Sequence, residues 1–271
     1  MLWNLIIIPI IGIFVISLID SSIKNEIKIK QYTLVFILTN IIFSLIIWIN
    51  FDNSIIPGIY QFTSNIAKEQ IGFCHFNIGI DGISLYFVLL TTIISPICII
   101  SNWNNLPYYK GLKYYLISFL ILEILLICAF IVLDILLFYV FFESVLIPLF
   151  FIVGIWGGSK RVRAAYLLFL YTLFGSLFIL IGIIIIYFNV GSTDFTVISI
   201  TNININYQKV LFIFIFISLA IKTPTIPFSI WLSRAHAEAP VGRKYYSSRT
   251  YSKTSYLWLS STYTTISTWC Y

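Results

Sequence analysis

Residues 114–155 read YYLISFLILEILLICAFIVLDILLFYVFFESVLIPLFFIVGI. Apart from Glu123, Asp134 and Glu143, no side chain in this stretch carries a full charge at neutral pH. A helix needs about 20 apolar residues to cross the hydrocarbon core of a bilayer, and residues 114–132 and 135–155 supply two such runs on either side of Asp134. Backbone N–H and C=O groups at that depth must bond within the protein, which selects helices or a closed barrel. The in/out alternation of barrel strands is absent, so helices are expected.

The same criterion applied outward finds 2–19, 32–49, 81–101, 165–188 and 209–232. The expected fold is therefore all-α: a polytopic transmembrane bundle of about seven helices. Composition agrees, with 60% hydrophobic residues, 10% charged residues and a mean hydropathy of +0.99. A soluble domain carries roughly 25% charged residues, so a water-soluble globular enzyme is excluded. The first run begins at Met1-Leu2-Trp3 without a basic leader and reads as a membrane helix rather than a cleaved signal peptide.

Loop charge tests the count, because basic residues accumulate on the side from which a membrane protein is inserted. The connections after the first, third and fifth spans carry Lys24, Lys28 and Lys30, then Lys110 and Lys113, then Lys160, Arg161 and Arg163. Those after the second and sixth carry only Lys68 and Lys209, and the one after the fourth carries none. This alternation puts the N-terminus outside and the basic connections inside. Residues 51–80, with Pro57-Gly58, form the longest loop, and 189–208 a shorter one on the same outer side. No short-period repeat occurs.

Charge inside a span costs several kcal/mol unless it is paired, hydrated or neutralised, so Glu123, Asp134, Glu143 and Lys222 are functional candidates. Glu143 precedes Pro148 in the fifth span. Lys222 lies in the seventh, followed by Thr223-Pro224 and Pro227, which should break or kink the helix just beyond the lysine. An ammonium in apolar surroundings depends on a carboxylate partner, so moving or neutralising Glu143 would switch Lys222 between holding and releasing a proton. The competing reading is a static ion pair that fixes helix packing. Glu123 stands between pathway and packing. Asp134 reads as an interfacial residue. Beyond the seventh span, His236 and Glu238 allow a proton relay, against the plainer reading of an interface turn anchored by Trp231.

Cys74, Cys98, Cys128 and Cys270 show neither CxxC spacing nor a disulfide framework. Cys74-His75 lacks a second ligand pair, so no metal site is expected. No GxGxxG element or iron–sulfur cysteine pattern occurs, and the chain is not expected to bind NADH or any other cofactor.

Taken together, several motifs resemble the chain 4 family of the proton-pumping NADH:ubiquinone oxidoreductase, respiratory complex I. They are Asp81-Gly82-Ile83-Ser84-Leu85, the run from Leu133 to Pro148, Gly154-Ile155-Trp156-Gly157-Gly158, Lys160-Arg161-Val162-Arg163 and Tyr171-Thr172-Leu173-Phe174-Gly175-Ser176. Lys222-Thr223-Pro224-Thr225-Ile226-Pro227-Phe228 and Ala235-His236-Ala237-Glu238-Ala239-Pro240 complete the set, and the likeness covers about residues 1–241. It implies an antiporter-like subunit of the membrane arm, whose Glu143 and Lys222 match the family's fifth-helix glutamate and seventh-helix lysine. His236 and Glu238 match its polar turn. Ser229 stands where the family usually has His, and Ser233 where it usually has Pro.

The resemblance implies further that NADH and ubiquinone are used by the whole complex, a proton-translocating NADH:ubiquinone reductase. Its partners would be other membrane-arm subunits and the lipid bilayer, not nucleic acid. The expected location is the mitochondrial inner membrane, with a bacterial plasma membrane as the alternative. Two rival readings are a subunit of a related multi-subunit cation/proton antiporter and a non-functional truncated fragment.

Residues 242–271 depart from the family. They include 13 Ser and Thr after Lys244 and no apolar run of spanning length. Of the net charge of +6, the four basic residues Arg243, Lys244, Arg249 and Lys253 lie here with no acid to balance them. Codons can be chosen for 245–258 that, read one base later, give Ile-Ile-Ala-Ala-Val-Leu-Ile-Ala-Lys-Leu-Ala-Thr-Tyr-Gly, which looks like the family's eighth helix. A frameshift is therefore the expectation for this tail, and the family-like domain is 1–241.

Overall fold

The computed structural model describes residues 1–20, 25–52, 60–65, 76–101, 103, 111–158, 160–201 and 203–222. The first three helices are α1 (Leu2–Leu18), α2 (Glu26–Ile49) and α3 (Gly82–Ser101), followed by α4 (Leu112–Ile131). The expected fifth span is α5 (Ile135–Ser144) and α6 (Leu146–Trp156), and the sixth is α7 (Arg161–Val190). A short α8 (Phe195–Ile200) lies in the following loop, and α9 (Ile205–Lys222) is the described part of the seventh span. Six of these spans are long and apolar enough to cross a membrane, counting α5 and α6 as one, while α1 is apolar but shorter, at 17 residues. The chain is a polytopic, nearly all-α bundle.

Burial within the bundle is uneven in a way that hydropathy alone does not reveal. The centre is α4, which packs against α1, α2, α3, α5 and α6. Its Tyr115, Leu116, Leu120 and Ile127 are fully enclosed. Around it, large apolar side chains such as Phe14, Val35, Ile42, Phe174 and Phe216 point outward. In water such a surface would drive association; in a bilayer it is the lipid-facing side of each helix.

Two features depart from the expected elements. Within the loop 51–80, β1 (Gln61–Asn65) and β2 (Asn77–Ile80) pair antiparallel, with Gln61 opposite Ile80 and Asn65 opposite Asn77. Ile78 and Ile80 are buried beneath this hairpin, which gives a loop read as polar an apolar underside. The fifth span is interrupted at Val145, although that residue keeps right-handed helical angles (φ −57, ψ −28). Pro148 has no N–H to offer the Ser144 carbonyl four residues before it, so the helix ladder loses a rung next to Glu143. The kink expected beyond Lys222 falls at Thr223-Pro224, outside the described residues.

Candidate proton site

Lys222 ends the described part of α9 and is completely buried, while Glu143, the last residue but one of α5, has 18% of its side chain exposed. Their Nζ and Oε1 atoms are 2.5 Å apart. The ammonium also lies 3.7 Å from the centroid of the Phe142 ring, whose face attracts a cation. This contact places the lysine between one carboxylate and one aromatic face. The two residues come from helices 79 positions apart, brought together by packing of α9 on α7 and of α7 on α5.

That packing depends on small side chains. At Gly175 in α7, an added Cβ would meet Ile221 Cγ2 at 2.9 Å, so a larger residue would push α9 away next to Lys222. Ser218, one turn before Lys222 on α9, is buried, and its hydroxyl has no hydrogen-bond partner among the described residues. Tyr139, one turn before Glu143, faces Ser176 of α7, whose hydroxyl donates to the Leu173 carbonyl at 2.7 Å. The ion pair therefore has hydroxyl groups on both α5 and α9 close to it along the helices, in an otherwise apolar interface.

The other candidates separate into distinct environments. Glu123 is fully buried in α4, where its Oε1 accepts a 2.8 Å hydrogen bond from Asn40 of α2. It belongs to a different polar patch, flanked by Ser44 and Thr92 with their hydroxyl oxygens 2.9 Å apart. Asp134 stands at the start of α5, fully buried by protein, and caps that helix, accepting from the N–H groups of Leu136 (2.8 Å) and Leu137 (3.1 Å). Its other oxygen accepts from the Thr193 hydroxyl at 2.6 Å. The loops fold over the helix end, which a one-dimensional reading of hydropathy does not register. His236 and Glu238 lie outside the described residues. Neither Asn40 nor Ser218 was anticipated as part of these polar environments, although Thr33, Asn40 and Ser44 share one face of α2 and interrupt an apolar run.

The transmembrane family described as NADH:quinone oxidoreductase/Mrp antiporter matches residues 132–268, half of the chain, and includes Asp134, Glu143 and Lys222. The chain belongs to this family. Within the NADH:quinone oxidoreductase/Mrp antiporter family, it is 58% identical over 243 residues to "NADH-ubiquinone oxidoreductase chain 4" of Mycosarcoma maydis, covering 89% of this chain and 49% of that protein. It is 42% identical over 240 residues to "NADH-quinone oxidoreductase subunit M" of Rickettsia prowazekii, covering 87% and 48%. The chain thus spans about half the length of the curated relatives it matches. A chain in the solved respiratory complex I of Thermus thermophilus has the same fold, with a TM-score of 0.73 at 23% identity over 88% of this chain and 47% of that one. The family match runs on through residues 242–268, part of the segment whose composition departs from the spans before it.

Proposed function

We propose that this chain is a proton-translocating, chain 4-like subunit in the membrane arm of an NADH:quinone oxidoreductase, with Glu143 and Lys222 as its proton switch. The observation that carries the reading is the buried lysine paired with a partly exposed carboxylate at the interruption of its helix. With the carboxylate alongside, the ammonium keeps its proton. When the carboxylate turns away or takes up a proton, Lys222 is left in apolar surroundings with only an aromatic face and passes a proton on. The Ser218 hydroxyl, without a hydrogen-bond partner among the described residues, stands one turn away to accept it. Quinone reduction elsewhere in the complex would supply the energy that moves the carboxylate.

NADH and quinone belong to other subunits in this proposal, and the chain itself holds no cofactor. The membrane is the mitochondrial inner membrane, as the eukaryotic relatives' name suggests, or the plasma membrane of a bacterium related to the Rickettsia subunit. His236 and Glu238 are proposed to extend the path beyond α9. Residues 242–271 are proposed to be an out-of-frame reading of a further membrane helix. If sequencing of the gene across codons 238–250 shows no apolar neighbouring frame, the tail is ordinary sequence of the family, in line with the extent of the match.

The decisive experiment replaces Lys222 with Ala in the assembled complex and measures protons moved per NADH oxidised. The expected result is a loss of pumping of tenfold or more; unchanged pumping refutes the assignment. Because the family description covers cation/proton antiporters as well, a second reading is an antiporter subunit. Co-purification with NADH-oxidising, quinone-reducing subunits supports the first reading, and its absence the second.

A further inference from the structure

The Glu123–Asn40 contact between α4 and α2 contains two acceptors too many. Both side chains are completely buried, and Asn40 Nδ2 donates to Glu123 Oε1 at 2.8 Å. Glu123 Oε2 and Asn40 Oδ1 are buried without any hydrogen-bond partner among the described residues. The neighbouring Ser95 hydroxyl is near enough to act on Glu123 but donates to the Thr92 carbonyl at 3.0 Å, and its single hydrogen could serve at most one of the two empty acceptors. Thr92 in turn donates to the Leu89 carbonyl at 3.0 Å, unless it turns toward Ser44. Glu123 forms no ion pair among the described residues. A bare carboxylate here would have the Asn40 amide, at most the Ser95 hydroxyl, and no counter-ion among the described residues, which is poor compensation for a buried charge.

One hydrogen removes the whole deficit. A carboxyl group and a carboxamide are both planar forks. Once Nδ2 has bonded Oε1, the second prongs need only turn about soft terminal torsions to meet. A proton on Glu123 Oε2, donated to Asn40 Oδ1, fills both empty positions and closes a ring of two hydrogen bonds. We propose that Glu123 is held as the neutral carboxylic acid in a closed pair with the Asn40 carboxamide, forming a proton-binding site separate from the Glu143–Lys222 pair. The pair joins α2 to the central helix, and its bound proton leaves only if another donor takes its place. The inference concerns this chain alone and does not rest on the translocation reading.

Infrared spectroscopy of the full chain in lipid nanodiscs tests it, with Glu123→Gln and Asn40→Leu as variants. Glutamine is the uncharged near-isostere of the protonated acid, so Glu123→Gln is expected to keep the helix content. The wild type minus Glu123→Gln difference should contain a protonated-carboxyl C=O stretch. In Asn40→Leu that stretch should move to higher frequency, because its hydrogen bonds are gone. If the difference shows carboxylate stretches instead, Glu123 is charged and bridged by a buried water, and the proposal is overturned. Should Glu123→Gln fail to insert, the Asn40→Leu comparison decides alone: a carbonyl band that stays in place overturns the proposal as well.

Discussion

Asp134 and Glu143 sit nine residues apart on one helical span, yet the fold treats them in opposite ways. Asp134 receives two backbone N–H groups and the Thr193 hydroxyl, and it bridges to a loop in which Asp194 in turn binds Asn77 Nδ2 at 2.9 Å and caps α8. Neutral donors from several elements hold that carboxylate, so no single movement releases it. Glu143 is partly exposed, lies at a break in its helix and has a cationic partner, Lys222, on a distant helix. A carboxylate held by several fixed neutral donors is a fastening. One that leans on a single charged partner suits the proposed switch, because the pair can be separated by one side-chain rotation.

This contrast breaks most readily at the lysine. Lys222→Met leaves Glu143 beside an apolar side chain and should destabilise the bundle by about 3 kcal/mol, the lower end for breaking a buried pair because Glu143 reaches some solvent. The double variant Lys222→Met with Glu143→Leu should regain most of that stability in thermal unfolding, yet move no protons in the assembled complex. A double variant that still pumps would reduce the pair to packing.

A smaller effect is expected at the fastening. Asp134→Ala removes a helix cap and leaves the Thr193 hydroxyl and two N–H groups without their acceptor, costing about 2 kcal/mol. Thermal unfolding should register that loss, while proton movement per folded complex stays unchanged. A specific loss of proton movement would erase the distinction between the two carboxylates.

The smallest effect lies at the rim of the hairpin. Burial first, then the carboxylates of Asp81 and Asp194, push the Tyr60 hydroxyl above its ordinary value of 10.0. An acid whose folded-state value is raised contributes stability that is complete below the unfolded value and is lost as pH rises through the folded one. The hairpin should therefore be insensitive to this group below about pH 10 and loosen above it. Ultraviolet titration of tyrosinate checks this: Tyr60→Phe should remove a component that titrates later than an ordinary tyrosine, and loss of an ordinary component instead would contradict it.

The helical spans were legible because bilayer thickness turns composition into length, and Glu143 and Lys222 stood out because charge at that depth is costly. Other features depended on tertiary arrangement. The burial of Asp134 comes from loops 59 residues away folding over it. The hairpin takes its underside from Ile78 and Ile80, two residues in a segment whose average character is polar. Asn40 is a single polar residue in an apolar run, and only the placement of α2 against α4 reveals its partner. The interruption at Val145 traces to Pro148, visible in the sequence, but its position beside the ion pair required the path of α9.

The fastening at Asp134 also sets an order of assembly. Its parts come from three separate segments at one end of the bundle: Asn77, whose carbonyl accepts from Leu133 N–H, then Leu133 to Ile135, then Thr193 to Phe195. During synthesis the first two segments emerge long before the third, and Thr193 cannot arrive until α7 has been threaded across the bilayer. Until then the rim is clasped only between Asn77 and Leu133, and α7 delivers the remaining segment. Insertion of α7 is the step at which a string of separately inserted helices acquires a common rim.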